Sequence, residues 1–449
     1  MTHVDLTDLL PEVVRLKPSK WVGKIREIGR GTLCVSGLSN IVGLGDLVEI
    51  HAHSGAVQTG EVLQIDGQNL IVLPDGVVDG LRINDAVHHL GKNEIAPHFS
   101  WLGRIVDPYG KAMDGSAVLS GADAKPLRGL PINPSERRGF GHRLETGLAV
   151  FNTILPLVRG QRIGLFAGSG VGKSTLLGRL ATGVQADVVV IAMIGERGRE
   201  VREFVEKILG KAGMRRAVVV AATSDQSPLA RRRCAWAGMA VAEYFRDQGQ
   251  HVLFLADSIT RFADAHREVA LATGEPATLR GYPPSTAHEI TALCERAGTG
   301  FGFTGDITAV FSVLVAGSDM DEPVADILRG VLDGHVVLDR SIAERGRFPS
   351  IDLLRSVSRS LPLAASEQEN ELIGRARKLL GSYEQNQMMI RAGLYTIGTD
   401  VEIDEAIAVW PKLDSFIAAN EPAGILESFA RLAGCMSENS PDMAENIPA

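Results

Sequence analysis

The sequence predicts an α/β protein in which a small β-barrel precedes a parallel sheet and a helical domain follows it. Three observations carry this reading. Short apolar runs cut by glycines fill the chain to about residue 90. Between Pro131 and Pro362, β-branched runs alternate with helical patterns; beyond Pro362 only helical periodicity remains.

The 449 residues suggest roughly three domains at about 150 residues each. Hydrophobic residues at 45% and charged residues at 22% are ordinary globular proportions, which excludes a disordered chain. Lys plus Arg 46 against Asp plus Glu 54 leaves a net charge of −8. That is the wrong sign for a chain whose main task is coating nucleic acid or anionic lipid. Cys34, Cys234, Cys294 and Cys435 lie far apart without C-x-x-C spacing, so they suggest neither a zinc site nor a disulfide framework. The N-terminus lacks an apolar leader core and no window approaches 18 apolar residues, so the expectation is a cytosolic protein reaching a membrane only through partners.

Residues 1–18 read as a short docking helix, with Leu6, Leu9, Leu10, Val13 and Val14 at helical spacing and Pro11 near its start. Residues 19–90 read as the barrel, either a cap without chemistry or a ligand-binding module. Residues 91–362 hold the sheet domain, entered through the Pro-, Gly- and Arg-rich stretch PINPSERRGFGHR. Its runs RIGLFAG, ADVVVIAMIG, AVVVAATS, HVLFLADS and ITAVFSVLVAG are continuously apolar, as strands buried on both faces require. Ligands of such sheets sit at the carboxyl ends of the strands. Residues 363–437 form the helical domain, opened by the capping-box pair Ser366 and Glu369 and continued by Leu372, Ala376, Leu379 and Tyr383 on one face. Residues 438–449 read as a flexible tail.

Arg162–Leu180 reads as strand, Gly-rich turn and helix. Gly168, Ser169, Gly170, Val171 and Gly172 form a loop whose N–H groups wrap a phosphate, and the helix opened by Lys173, Ser174 and Thr175 turns its positive end to the same anion. Lys173 reaches the β/γ-phosphates and Ser174 offers its hydroxyl to Mg²⁺. The strict pattern wants Gly at 167, where Ala167 stands. Asp257 closes HVLFLAD, the place for a second carboxylate serving the Mg²⁺. Glu196, in IGERGREV, either polarises an attacking water or simply favours the start of a helix.

RGQRIGLFAGSGVGKSTLL, IGERGREV, FLADSITRFADAHREV, GYPPS, EPVAD, LDGHVVLDR and FPSIDLLRSVSR together resemble the α/β subunit superfamily of rotary ATPases. Within it, FAGSGVGKS beside GERGREV is most similar to the flagellar type III protein-export ATPases. The resemblance covers about residues 20–420 and implies a P-loop, RecA-like ATPase core using ATP and Mg²⁺. It implies Lys173 and Ser174 as phosphate and magnesium residues, Asp257 as the Walker B carboxylate and Glu196 as the water-activating base. Arg359 matches an arginine finger that enters the neighbouring subunit's site, Phe348 an aromatic that stacks on adenine, and Arg197 a group between water, phosphate and neighbour. It also implies a homohexameric ring around a coiled-coil stalk protein, a stator or regulator at the N-terminus, an export gate and chaperone–cargo complexes. Nucleic acid is not among these partners, and the ring works in the cytoplasm at the inner-membrane base of a secretion apparatus.

The chain departs from that pattern in three places. PPSTAHEITALCERAG sets Thr286, Ala287, Ile290 and Thr291 where the family has other residues, Ser318 precedes Asp319 where two acidic residues are usual, and FIAANEP replaces the usual Phe-Leu-x-Gln. The last leaves the second adenine-enclosing residue unnamed. The first helix is also short for stator docking. An RNA-translocating helicase of similar core would need an aromatic, basic platform, yet residues 21–90 hold a single Trp, neither Tyr nor Phe, and few Lys or Arg. A non-catalytic ring subunit would usually lack Lys173 or Glu196. A rotary synthase catalytic subunit usually reads GGAGVGKT and GERTREG. The virulence injectisome ATPase shares chemistry and fold, with a loop that more often reads ASAGSGKS.

Overall fold

Side chains alternating at period two close the first strands into a barrel. In the computed structural model, which describes residues 9–15, 19–29, 31–315, 320 and 322–437, β1 (Val22–Ile28), β2 (Leu33–Ser36), β3 (Leu47–His51), β4 (Val57–Asp66), β5 (Asn69–Pro74) and β6 (Ala86–Gly91) form a closed barrel of order β1-β2-β5-β4-β3-β6. Ile25, Leu33, Val35, Val48, Ile50, Val62, Leu70, Val72 and Val87 fill it. Their neighbours along each strand face outward, which the antiparallel pleat dictates. Before the barrel, α1 (Leu10–Arg15) carries Pro11 in its first turn. The rest of the expected docking helix and the expected tail from residue 438 lie outside the described residues.

The chain divides into two units, the first comprising Met1–Phe140, Arg159–Ser169 and Ala186–Leu332, the second Gly141–Val158, Gly170–Gln185 and Asp333–Ala449. The first holds the barrel, a short pair of β7 (Glu94–Ile95) with β9 (Lys125–Pro126), and parallel strands β8 (Ile105–Val106), β10 (Arg162–Ala167), β11 (Val188–Glu196), β12 (Ala217–Thr223), β13 (Val252–Asp257) and β14 (Ile307–Leu314). Neighbours run β10-β14-β13-β11-β12-β8, every pair parallel. Parallel strands need crossovers, supplied here by α4 (Gly198–Glu203), a π-helical turn Phe204–Leu209, α5 (Gly210–Met214), α6 (Pro228–Asp247), α7 (Ile259–Ala272), α8 (Ser285–Glu295) and α9 (Pro323–Val331). Eight residues of β11, Val188–Gly195, are buried, as cover on both faces requires.

Helix α6 starts where Ser227 caps it, accepting from the Ala230 N–H at 3.1 Å, with Pro228 at the first helical position. It ties the first unit together through charge. Arg232 donates to Glu61 of the barrel at 2.8 Å, and Arg233 donates to the carbonyls of Pro108 at 2.9 Å and Glu94 at 3.0 Å. Near its C-terminal end, Glu243 accepts two bonds from Arg296, at 2.9 and 2.7 Å, and both side chains are buried. On α7, His266 bonds through Nε2 to Ser285 Oγ at 2.8 Å, and Ser285 donates to Glu275 at 2.6 Å.

The second unit pairs β15 (Gly334–Leu338) antiparallel with β16 (Ile351–Ser358) and adds α2 (Ala149–Asn152), α3 (Lys173–Gly183), α10 (Arg340–Glu344), α11 (Glu367–Arg391), α12 (Val401–Ala418) and α13 (Ile425–Met436). The capping box read from the sequence is formed: Glu369 N–H donates to Ser366 Oγ at 3.3 Å and Ser366 N–H to Glu369 Oε2 at 2.8 Å. Arg143 donates to the same carboxylate at 2.8 Å. The buried face of α11 is Ile373, Ala376, Leu379, Leu380 and Tyr383, with Leu372 only half-buried, and Tyr383 stacks on Trp410 at 4.5 Å. No helix among the described residues is long and apolar enough to cross a membrane.

Glu243→Ala strands the Arg296 guanidinium in the core, and we expect it to cost about 3–5 kcal/mol, read as a lower urea midpoint. Burial, then Arg232 and Arg128, push the His266 imidazole down to about 4. Because the folded pKa lies below that of the unfolded chain, the unfolded state binds more protons at acid pH. Stability should therefore fall as pH drops from about 6.5 to 4, by on the order of 2 kcal/mol, and His266→Gln should flatten that part of the profile in urea titrations.

Candidate active site

In the first unit the sequence-predicted carboxylates meet at the carboxyl edge of the sheet. Strand β10 ends at the buried Ala167 and leads into Gly168 and Ser169. Strand β13 ends at Asp257, paired in register with Met193, so Glu196 lies three residues further along the neighbouring β11, opposite Thr223. Asp257 is 4% exposed, and Ser312 Oγ donates to its Oδ1 at 2.6 Å. Ser312 lies on β14, which runs beside β13 with Phe311 opposite Ala256. A hydroxyl donating to a buried carboxylate fixes its rotamer.

Glu196 is half-buried at the strand end, directly before Arg197, which caps α4. Gly195, at φ +70°, makes the turn into it, and a Cβ there would stand 3.4 Å from both Arg231 Cδ and Arg261 Cβ. That left-handed dihedral is the one glycine adopts without a Cβ penalty. The aliphatic stems of two arginines thus flank the backbone that delivers Glu196, and the Arg231 guanidinium turns to Glu268 at 3.0 Å. Arg197 itself points its guanidinium to Glu200 at 3.1 Å and is 77% exposed, so within this unit it is held by its own helix.

The second unit holds Gly170, Val171, Gly172 and the first turn of α3. Gly170 and Gly172 have φ of +77° and +87°, the left-handed backbone that turns successive N–H groups toward one point. The Leu176 N–H donates to the Gly172 carbonyl at 3.0 Å, which starts α3 at Lys173 as the sequence predicts and leaves the first-turn N–H groups without helical partners. Val171 is buried, and its carbonyl accepts from Ser350 Oγ at 2.7 Å. A Cβ on Gly172 would meet the Phe348 ring at 3.2 Å, so Phe348 lies against the loop with 47% of its surface open. Lys173, Ser174 and Thr175 occupy the first turn of α3.

Strand β16 separates two of the candidate residues. Phe348 precedes it, while Arg359 follows its last residue, Ser358, and is exposed, with its backbone N–H donating to the Asp333 carbonyl at 2.9 Å. Eight extended residues span about 26 Å. Ser358 Oγ anchors this end by donating to the Pro156 carbonyl at 2.7 Å.

Sequence reasoning passed over Ser312 and Ser350. The one available signal for Ser312 is that it and Thr308 are the two hydroxyls in the apolar run ITAVFSVLV. Among the departures, Ile290 is buried in α8, and Thr286 is buried with its hydroxyl unpartnered among the described residues. In FIAANEP, Phe416 and Ile417 are core residues, and Glu421 is buried and accepts from Arg431 at 2.6 Å and the Ala423 N–H at 3.1 Å. The Ser318–Asp319 departure lies outside the described residues.

Residues 147–358 match the family model of the ATP synthase alpha/beta family, nucleotide-binding domain, and residues 365–434 match that of the T3SS EscN ATPase C-terminal domain. The flagellum-specific ATP synthase of Caulobacter vibrioides is 41% identical over 437 residues, covering 95% of this chain and 98% of that one. The flagellum-specific ATP synthase of Bacillus subtilis is 42% identical over 394 residues, covering 87% and 90%. The type 3 secretion system ATPase of Xanthomonas euvesicatoria is 41% identical, covering 89% and 90%. The assembled ATPase EscN of the enteropathogenic E. coli type III secretion system superposes with a TM-score of 0.85 at 34% identity, covering 92% of this chain and all of that one. A barrel, a parallel sheet carrying a phosphate loop and a helical C-terminal region therefore agree with sequence relatives along nearly the whole chain, and the chain belongs to the ATP synthase alpha/beta family as a P-loop ATPase of its flagellar and type III secretion branch.

Proposed function

We propose that this chain hydrolyses ATP with Mg²⁺ in a homohexameric ring and that the ring drives export of flagellar proteins through a type III secretion apparatus. One observation carries the ring: Phe348 lies on the chain's own phosphate loop while Arg359 stands at the other end of β16, about 26 Å away by strand length. A finger that far from its own loop serves a neighbour's nucleotide. The flagellar assignment is supported by the flagellum-specific relatives and by the loop FAGSGVGKS. A second reading, the virulence injectisome ATPase, is favoured by the similarly identical Xanthomonas relative and by the likeness to EscN.

The roles follow from charge and position. The backbone N–H groups of Gly168, Ser169, Gly170, Val171 and Gly172 and the first turn of α3, with Thr175, surround the phosphates, and Lys173 neutralises the β/γ oxygens. The donor chemistry fits a hard cation, with the Ser174 hydroxyl and the Asp257 carboxylate as its protein oxygens; Mg²⁺ bound there supplies charge neutralisation on the phosphates. Glu196 orients and polarises the attacking water, and Arg197 supports it toward the subunit boundary. Arg359 of the neighbour balances charge on the γ-phosphate, an effect worth roughly 10³–10⁵ in rate. Phe348 stacks on adenine. We place functional divisions near residues 18, 90, 362 and 437. The N-terminal helix meets a stator or regulator, a coiled-coil stalk occupies the ring centre, as EscO is the central stalk of EscN, and an export gate and chaperone–cargo complexes complete the partners. The ring works in the cytoplasm against the inner membrane, without nucleic acid.

Lys173→Ala should abolish nucleotide binding, Glu196→Gln should bind ATP without turnover, and Arg359→Ala should form rings that do not turn over; near-normal hydrolysis by purified Glu196→Gln contradicts the base assignment. Ser312→Ala should lower kcat about 5- to 30-fold and raise the Mg²⁺ needed for half-maximal rate, with Ser312→Thr restoring both. For the biological role, a deletion strain should regain filaments and secreted flagellin with the wild-type gene and not with Glu196→Gln. A deletion strain that swims normally assigns the chain to the injectisome reading instead.

A further inference from the structure

The outer face of the barrel carries a side-chain cluster that neither the core nor the catalytic set uses. Glu49 and His51 alternate on β3, and His88 stands on β6 directly opposite Glu49, while His51 faces Ala86. Period two puts all three on one side of the pleat, outside the apolar filling of Val48, Ile50 and Val87. His51 Nε2 lies 2.9 Å from Glu49 Oε2, the His51 and His88 rings stand 4.2 Å apart at 37°, and one donor atom from each residue falls within 4.8 Å of the other two. The adjacent His89 is already committed, its Nε2 lying 2.8 Å from Asp46 Oδ2. His88 has no such partner among the described residues.

We propose that Glu49, His51 and His88 bind one Zn²⁺, or a similarly borderline transition-metal dication, on the outer face of the barrel, joining β3 to β6. Two imidazole nitrogens and one carboxylate oxygen are a recognised zinc donor set that leaves a fourth position for water. At bond lengths of about 2.0–2.2 Å, tetrahedral donors lie about 3.4 Å apart, so small side-chain rotations close the cluster on a metal. The hard Mg²⁺ of the catalytic reaction prefers oxygen ligands and does not compete well here. Lys20 does compete, since its Nζ sits 3.2 Å from the same Glu49 Oε2, on a side chain 43% exposed.

The test is Zn²⁺ titration of the full-length protein in excess Mg²⁺ without nucleotide, by calorimetry, with circular dichroism and ATPase rate confirming that each variant is folded. Wild type should take up one equivalent that His51→Ala and His88→Ala each weaken at least about tenfold. Lys20→Met should tighten it several-fold, a change opposite in sign to any loss of structure. Zn²⁺ should raise the melting temperature of wild type and of Lys20→Met, and not of the histidine variants. Substituted Co²⁺ should show the absorption of tetrahedral coordination in wild type alone of the three histidine-series proteins. No saturable uptake by wild type, or uptake unchanged in both histidine variants, overturns the site; unchanged affinity in Lys20→Met overturns the competition by Lys20.

Discussion

An extended strand cannot bring its two ends together, and in this chain β16 has a nucleotide-binding candidate, Phe348, at one end and a catalytic candidate, Arg359, at the other. Phe348 is fixed to its own phosphate loop through Gly172, with Ser350 holding the Val171 carbonyl beside it. Arg359 is fixed at the other end, where Ser358 anchors the strand to the Pro156 carbonyl. The finger role proposed for Arg359 therefore directs it to a neighbour's nucleotide, and on that proposal ring assembly is part of catalysis.

The first unit places the two carboxylates, Glu196 and Asp257, at the edge of an apolar sheet. Ser312 meets Asp257 with one buried hydroxyl, and the aliphatic stems of Arg231 and Arg261 pack around Gly195 beside Glu196. The same unit ties the barrel to α6 by the buried Arg232–Glu61 ion pair, and Arg233 beside it holds the carbonyls of Pro108 and Glu94. Such pairs add little net stability against a well-packed apolar alternative, but breaking one is costly. Their value is geometric, because a guanidinium accepts few orientations and so fixes where the barrel's strands stand.

Much of this was legible in the sequence wherever the chemistry is local. The phosphate loop announces itself because strand, glycines, lysine and helix are contiguous, and the Ser366–Glu369 box because capping spans one turn. Apolar runs such as VVVIAMIG told of a sheet covered on both faces. Cross-strand features were not legible. Ser312 meets Asp257 from 55 residues away, Arg232 meets Glu61 from 171, and His88 meets Glu49 only through a register that composition does not encode. The helical face of α11 was seen in part, because packing on two sides buries Ile373 and Leu380 beyond the single expected stripe.

The most direct measurement of the shared site is complementation between two inactive subunits. Lys173→Ala protein lacks a working phosphate loop but keeps its finger, and Arg359→Ala protein has the reverse defect. Mixed in equal amounts and assembled together, they should create interfaces with one intact loop and one intact finger, and ATP hydrolysis should rise well above the mean of the two proteins assayed alone. A mixture that hydrolyses no faster than that mean contradicts the account, because it would place loop and finger in the service of the same subunit.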